Sequence, residues 1–168
     1  MLKVTAFLAS HQMTQFSKRT VEYLHRSGWP PDSVIDTTPF KESLSTAGFF
    51  VHDAALNFLR EFGGLRIQYP HAKVADMEDE MHFDPSIVIR HAVPSDVEAY
   101  GRVIGRKLCP IGEACRAYMI LMMTEEGEVY GGYDDFFVKV GNSGSEAIEA
   151  LCSGSQPEII LVGNDWWS

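Results

Sequence analysis

Three cysteines, Cys109, Cys115 and Cys152, are all that 168 residues contain, too few and too scattered for a disulfide framework, a redox pair or a zinc knuckle. They are expected as reduced, buried thiols. The six histidines, at 11, 25, 52, 71, 82 and 91, never pair four residues apart on a convincing helix face, so no metal site is expected. Long apolar runs are missing as well. Leu2 to Ser10 is too short and interrupted for a secretory core, and no other run approaches the roughly 18 residues of a membrane span. A soluble, cytoplasmic protein without membrane contact is the expectation.

Chemistry-bearing motifs are equally scarce. Gly63-Gly64 lacks the Lys and Ser/Thr of a phosphate loop, and Gly131-Gly132 and Gly141 to Gly144 lack its strand-loop-helix frame. Asp76 to Glu80 lacks the interleaved glycine and terminal Glu of a calcium loop. Cys109 and Cys115 flank an expected Pro-x-Gly turn, Pro110-Ile111-Gly112, with His91 upstream, yet no local motif activates either thiol. The chain therefore reads as a non-enzymatic binding protein that needs no cofactor.

Basic residues are absent where acids are densest. Residues 1–73 hold eight Lys or Arg against six Asp or Glu, whereas residues 74–168 hold six against seventeen, within a total charge of −9. One window contains Asp76, Glu78, Asp79, Glu80 and Asp84; another contains Glu125, Glu126, Glu128, Asp134 and Asp135. Neither includes a Lys or Arg. Such surfaces repel phosphate backbones and attract basic proteins, which disfavours direct nucleic-acid binding.

At 45% hydrophobic content the chain supports one sizeable core. Val51, Ala55, Phe58, Leu59 and Phe62 recur at helical spacing, Asp53 is the expected cap, and Gly63 or Gly64 supplies the stop. Leu65 to Tyr69 then alternates as a half-buried strand. Two helices are expected upstream, one from about 15 to 27 and one capped by Asp36, Thr37 or Thr38, with Trp29 on a rigid Gly-Trp-Pro-Pro connector as a core plug. Leu2 to Leu8 reads as a short extra strand. Residues 70–80 read as a polar connection, 81–83 and 87–89 as brief extended pieces, and Pro94 opens a fourth helix. Residues 117–124 read as a strand, and its stretch 118–123 is apolar throughout, as when both faces are covered. Glu125 to Glu128 is a hairpin turn, 129–133 and 136–140 follow as strands, and a helix through Leu151 precedes the strand 159–162. Helices first and mostly antiparallel strands after give an α+β domain, a mixed or mainly antiparallel sheet flanked by four to five helices.

The landmarks Gly28-Trp29-Pro30, Phe62-Gly63-Gly64-Leu65, Asp84-Pro85, Pro110-Ile111-Gly112 and the helix Ala147 to Leu151 before Gly154 occur in a telling order. In that order the chain resembles the third subgroup of the SUKH superfamily, a group of bacterial immunity proteins. The resemblance covers roughly residues 16–154, leaving 1–15 as a leader and 155–168 as a tail whose strand packs on the domain. It implies an antidote that pairs with a cognate toxin domain, many of which are basic nucleases or deaminases, and occludes its active site. The acids Asp76, Glu78, Asp79, Glu80, Asp134 and Asp135 are the expected steering residues, with Tyr130, Tyr133, Trp166 and Trp167 as anchors. A regulatory scaffold or ligand-sensing module, as in the wider superfamily, is the alternative.

Overall fold

The computed structural model describes residues 16–29 and 34–162. The expected strand Leu2 to Leu8, Pro30-Pro31 and the pair Trp166-Trp167 lie outside them. Three helices come first: α1 (Lys18–Arg26), α2 (Thr38–Thr46) and α3 (Asp53–Phe62). Strands β1 (Arg66–Pro70) and β2 (Glu78–His82) lead to helices α4 (Pro85–Val88) and α5 (Pro94–Ile104). Strands β3 (Leu108–Ala114), β4 (Met119–Thr124), β5 (Val129–Tyr133) and β6 (Phe136–Gly141) follow, then α6 (Gly144–Ser153) and β7 (Glu158–Val162). The seven strands form one sheet in chain order, every pair antiparallel. The domain is thus α+β, its sheet wholly antiparallel.

Register divides the side chains between two faces, since paired residues share one. Leu121, Gly131 and Val138 line up on the first face, and Ile120, Gly132 and Phe137 on the second. On the first, α3 brings Phe58 and Phe62 against Phe83, with Trp29 stacked on Phe62 and Phe16 set edge-on to it. A Cβ on Gly144 would strike the Phe58 ring at 2.2 Å, so the missing side chain admits α6 to the same layer. On the second face the Tyr100 ring of α5 lies over Gly132 and stacks on Phe137, 4.9 Å between centroids. With both faces covered, β3 is buried throughout and β4 nearly so, as the uninterrupted apolar run of β4 requires.

Several local expectations change. His52 caps α3: its Nδ1 accepts from the Ala55 amide while Nε2 donates to the Met123 carbonyl, so the cap also ties the helix to β4. Asp53 is instead the first-turn acid, where it complements the helix dipole. Residues 87–89, expected to be extended, belong to the short turn of α4 and its C-cap, because Asp84 accepts from the Ser86 amide and Pro85 takes the first helical position. Pro110-Ile111-Gly112 is a bulge inside β3 and not a turn. Its glycine has a reason: a Cβ there would sit 1.9 Å from the His82 carbonyl oxygen, where β2 crosses onto β3. Glu78 to Glu80, expected in a loop, are strand residues.

Candidate partner-binding surface

An antiparallel meander sends every second connection to the same end of the sheet. The β2–β3 and β6–β7 connections carry helices, and the β4–β5 turn lies with them. The opposite end consists of three hairpins: β1–β2, β3–β4 and β5–β6. Four strand spacings separate the outer two, roughly 20 Å. Each hairpin exposes one large apolar side chain: Val74 (47%), Tyr118 (75%) and Tyr133 (46%). All five described non-glycine residues with positive φ lie here too, Asp76, Cys115, Arg116, Ala117 and Asp134. Such left-handed backbone is costly and persists only where surrounding contacts hold it.

Those contacts are specific. The Arg116 amide donates to the Glu80 carbonyl at 3.4 Å and its guanidinium to the Glu78 carbonyl at 2.8 Å, stapling the β3–β4 turn to β2. The Tyr100 hydroxyl donates to the Asp134 carbonyl at 2.8 Å, fixing the β5–β6 turn from α5. The hairpin end is therefore held before any partner arrives.

Charge on this end comes from pieces of both acidic windows. Asp76, Glu78 and Asp134 are exposed and Asp135 half-buried. Asp79 is also half-buried; it pairs with Tyr69, shares its face and accepts from the Glu80 amide. Burial, and then the Asp79 charge, raise the Tyr69 hydroxyl far above its ordinary range. Glu80 is largely neutralised by an ion pair with Arg66. The rest of the second window lies elsewhere. Glu125, Glu126 and Glu128 occupy the far end of the sheet, where Glu128 holds Arg106 and accepts from Lys139 at 2.6 Å. The Lys139 hydrogen bond holds the Glu128 carboxyl below its usual range.

The aromatic anchors separate in the same way. Tyr130 is 6% exposed and stacks on Phe137, so it has almost no surface to offer. Tyr133, three residues later, is at the hairpin end. β7 finishes with Val162 opposite Phe136 at that end, and Trp166 and Trp167 lie outside the described residues. Tyr118 and Arg116, not singled out in the sequence, complete the surface. An apolar run hid Tyr118 in the following strand, and nothing local distinguishes Arg116.

A second polar cluster is buried under α4 and α5. The Glu113 side chain is 0% exposed; His82 Nε2 donates to its Oε2 at 2.6 Å and His91 lies against Oε1 from the solvent side. His82 Nδ1 accepts from the Asp84 amide at 3.3 Å, which sets the Nε2–H tautomer. Burial favours the neutral Glu113 carboxyl, but the His82 hydrogen bond and the two imidazoles outweigh it and hold the group below the ordinary range. The cluster links β2, β3 and the start of α4, a scaffolding arrangement. Burial raises the thiols of Cys109 and Cys152 to about 12, which leaves them poor nucleophiles at neutral pH.

The model of the family described as SUKH-3 immunity protein matches residues 16–154. No curated protein and no solved structure matches the chain.

Proposed function

Because the chain belongs to the SUKH-3 immunity protein family, we propose that it is a non-enzymatic antidote that binds a cognate toxin domain and blocks its active site through the hairpin end. The observation that carries this reading is the coincidence of three features on one end of the sheet: exposed Val74, Tyr118 and Tyr133, left-handed backbone in every turn, and unpaired acids. Apolar anchors ringed by charge are the composition of a tight interface core and its rim. The hairpin end, about 20 Å across, matches the scale of a standard interface of roughly 800 Å² per partner.

Against Asp76, Glu78, Asp79, Asp134 and Asp135 the hairpins set only Lys73 and Arg116, so the surface is net negative. It suits a cationic opponent such as a basic nuclease or deaminase, which must keep a positive cleft to hold its own polyanionic substrate. Acids steer the encounter, and the desolvated tyrosines then hold the complex. Free thiols at Cys109, Cys115 and Cys152 suit a reducing cell interior. Among the described residues no helix is long and apolar enough to cross a membrane.

Co-expression with the product of the neighbouring toxin gene tests the reading. The two proteins co-purify, and replacing Tyr118 and Tyr133 by Ala accelerates dissociation by at least about tenfold. Retention of full affinity in that double variant would move the interface off the hairpin end.

A further inference from the structure

Apart from the hairpin end, a concavity among the described residues combines apolar walls with unpaired charge. A groove of about 700 Å³ opens between the α2–α3 connection and α5. Its floor is Phe49, Phe50, Val97 and Leu108, and its rim carries Arg102 and Lys107. The volume falls within the range of small-molecule sites, on the order of 300–1,000 Å³. The packing of α5 shapes it: a Cβ on Gly101 would lie 2.5 Å from the Arg106 carbonyl oxygen, so the glycine lets the chain turn back beneath the helix.

The charges are distributed informatively. Arg106 at the edge is engaged by Glu126 at 3.7 Å and by Glu128. Arg102 makes no ion pair among the described residues, and Lys107 sits 4.7 Å from the centroid of the Phe50 ring. In a chain of net charge −9 these are two cations with no ion-pair partner among the described residues, beside an apolar trough, with Lys107 resting on the Phe50 ring. Glu98, one helical turn before Arg102, is the groove's lone carboxylate and excludes an anion from the α5 N-terminal half.

We infer that this groove binds an amphipathic anion, its apolar body on Phe49, Phe50, Val97 and Leu108 and its carboxylate or phosphate head between Arg102 and Lys107. Leu108 begins β3 at the helix-bearing end of the sheet, so the site and the hairpin surface occupy opposite ends. The inference does not rest on toxin binding.

Decanoate, below its micelle concentration, is the probe, followed by amide chemical shifts of the full chain. The expected result is saturable shifts confined to residues 48–50 and 94–108, with decyltrimethylammonium producing none. The exposed double variant Arg102→Glu/Lys107→Glu weakens decanoate at least tenfold at an unchanged melting temperature, and Phe50→Ala weakens it independently of head-group charge. Decyl phosphate in place of decanoate identifies which head group the cations prefer. Absence of binding, equal binding of the cationic amphiphile, or shifts centred on Tyr118 and Tyr133 would each overturn the inference.

Discussion

At the residue scale, Glu113 dominates the interior because it is the fully buried acid among the described residues, and its partners come from different elements. Removing it leaves the His82 Nε2–H without an acceptor in a dry site. Glu113→Ala is expected to cost about 2–4 kcal/mol in urea unfolding. Its folded carboxyl sits below the ordinary value near 4.3. The unfolded chain therefore binds the proton more readily, and the stabilisation is fully present above that ordinary value. It is lost as pH falls through the lower folded one. Melting temperature should consequently drop on acidification below about pH 4.5, and less steeply in Glu113→Gln. Gly112→Ala, forced against the His82 carbonyl oxygen 1.9 Å away, should cost about 3 kcal/mol or more by the same measurement. The family landmarks thereby acquire physical roles: Gly112 admits β2, Asp84 caps α4 and holds His82, and Trp29 fills the layer behind Phe62.

At the scale of elements, the proposed recognition surface is built on hairpins, with the β3–β4 turn held by two bonds from Arg116 to β2 and the β5–β6 turn by the Tyr100 hydroxyl. Tyr100→Phe removes the hydroxyl that holds the Asp134 carbonyl while keeping the ring over Gly132. A stability loss of about 1 kcal/mol is expected. Amide exchange should quicken at Asp134 and Asp135 but remain unchanged in β3 and β4. If exchange rises across the whole sheet, the hydroxyl supports the core and not the turn. The α3 cap behaves differently, since His52 bonds both its own helix and β4. His52→Ala should therefore exceed the roughly 1 kcal/mol of an ordinary cap.

For the molecule as a whole, the relevant quantity is the separation of charge between the two ends of the sheet. Reversing Asp76, Glu78, Asp134 and Asp135 to Lys should slow toxin association by about ten- to a thousandfold at low salt with little change in melting temperature. Reversing Glu125 and Glu126 at the far end should leave the rate nearly unchanged, because the Debye length is about 8 Å at physiological ionic strength. Stopped-flow association rates across a salt series decide between the ends. Equal slowing by both sets would mean that net charge, and not a local surface, drives the encounter.

What the sequence determined by itself was local and periodic: the helix Asp53–Phe62 with its glycine stop, the apolar strand β4, the hairpin at Glu125 to Glu128, the helix before Gly154, and through their order the family. Hydrophobic period and turn chemistry act over a few residues, so they can be read without knowing what lies opposite. Which acids share a surface depended on tertiary structure. Glu126 and Asp134 belong to one acidic window in the sequence, yet β5 lies between them, and a strand of that length, roughly 17 Å, carries them to opposite ends. Tyr130 and Tyr133 part for a related reason: one lies within the covered middle of the sheet, the other at its edge. The buried His82–Glu113 pair likewise joins residues 31 positions apart. It exists only because the β2–β3 register brings them face to face, and a register is set by packing across the whole sheet.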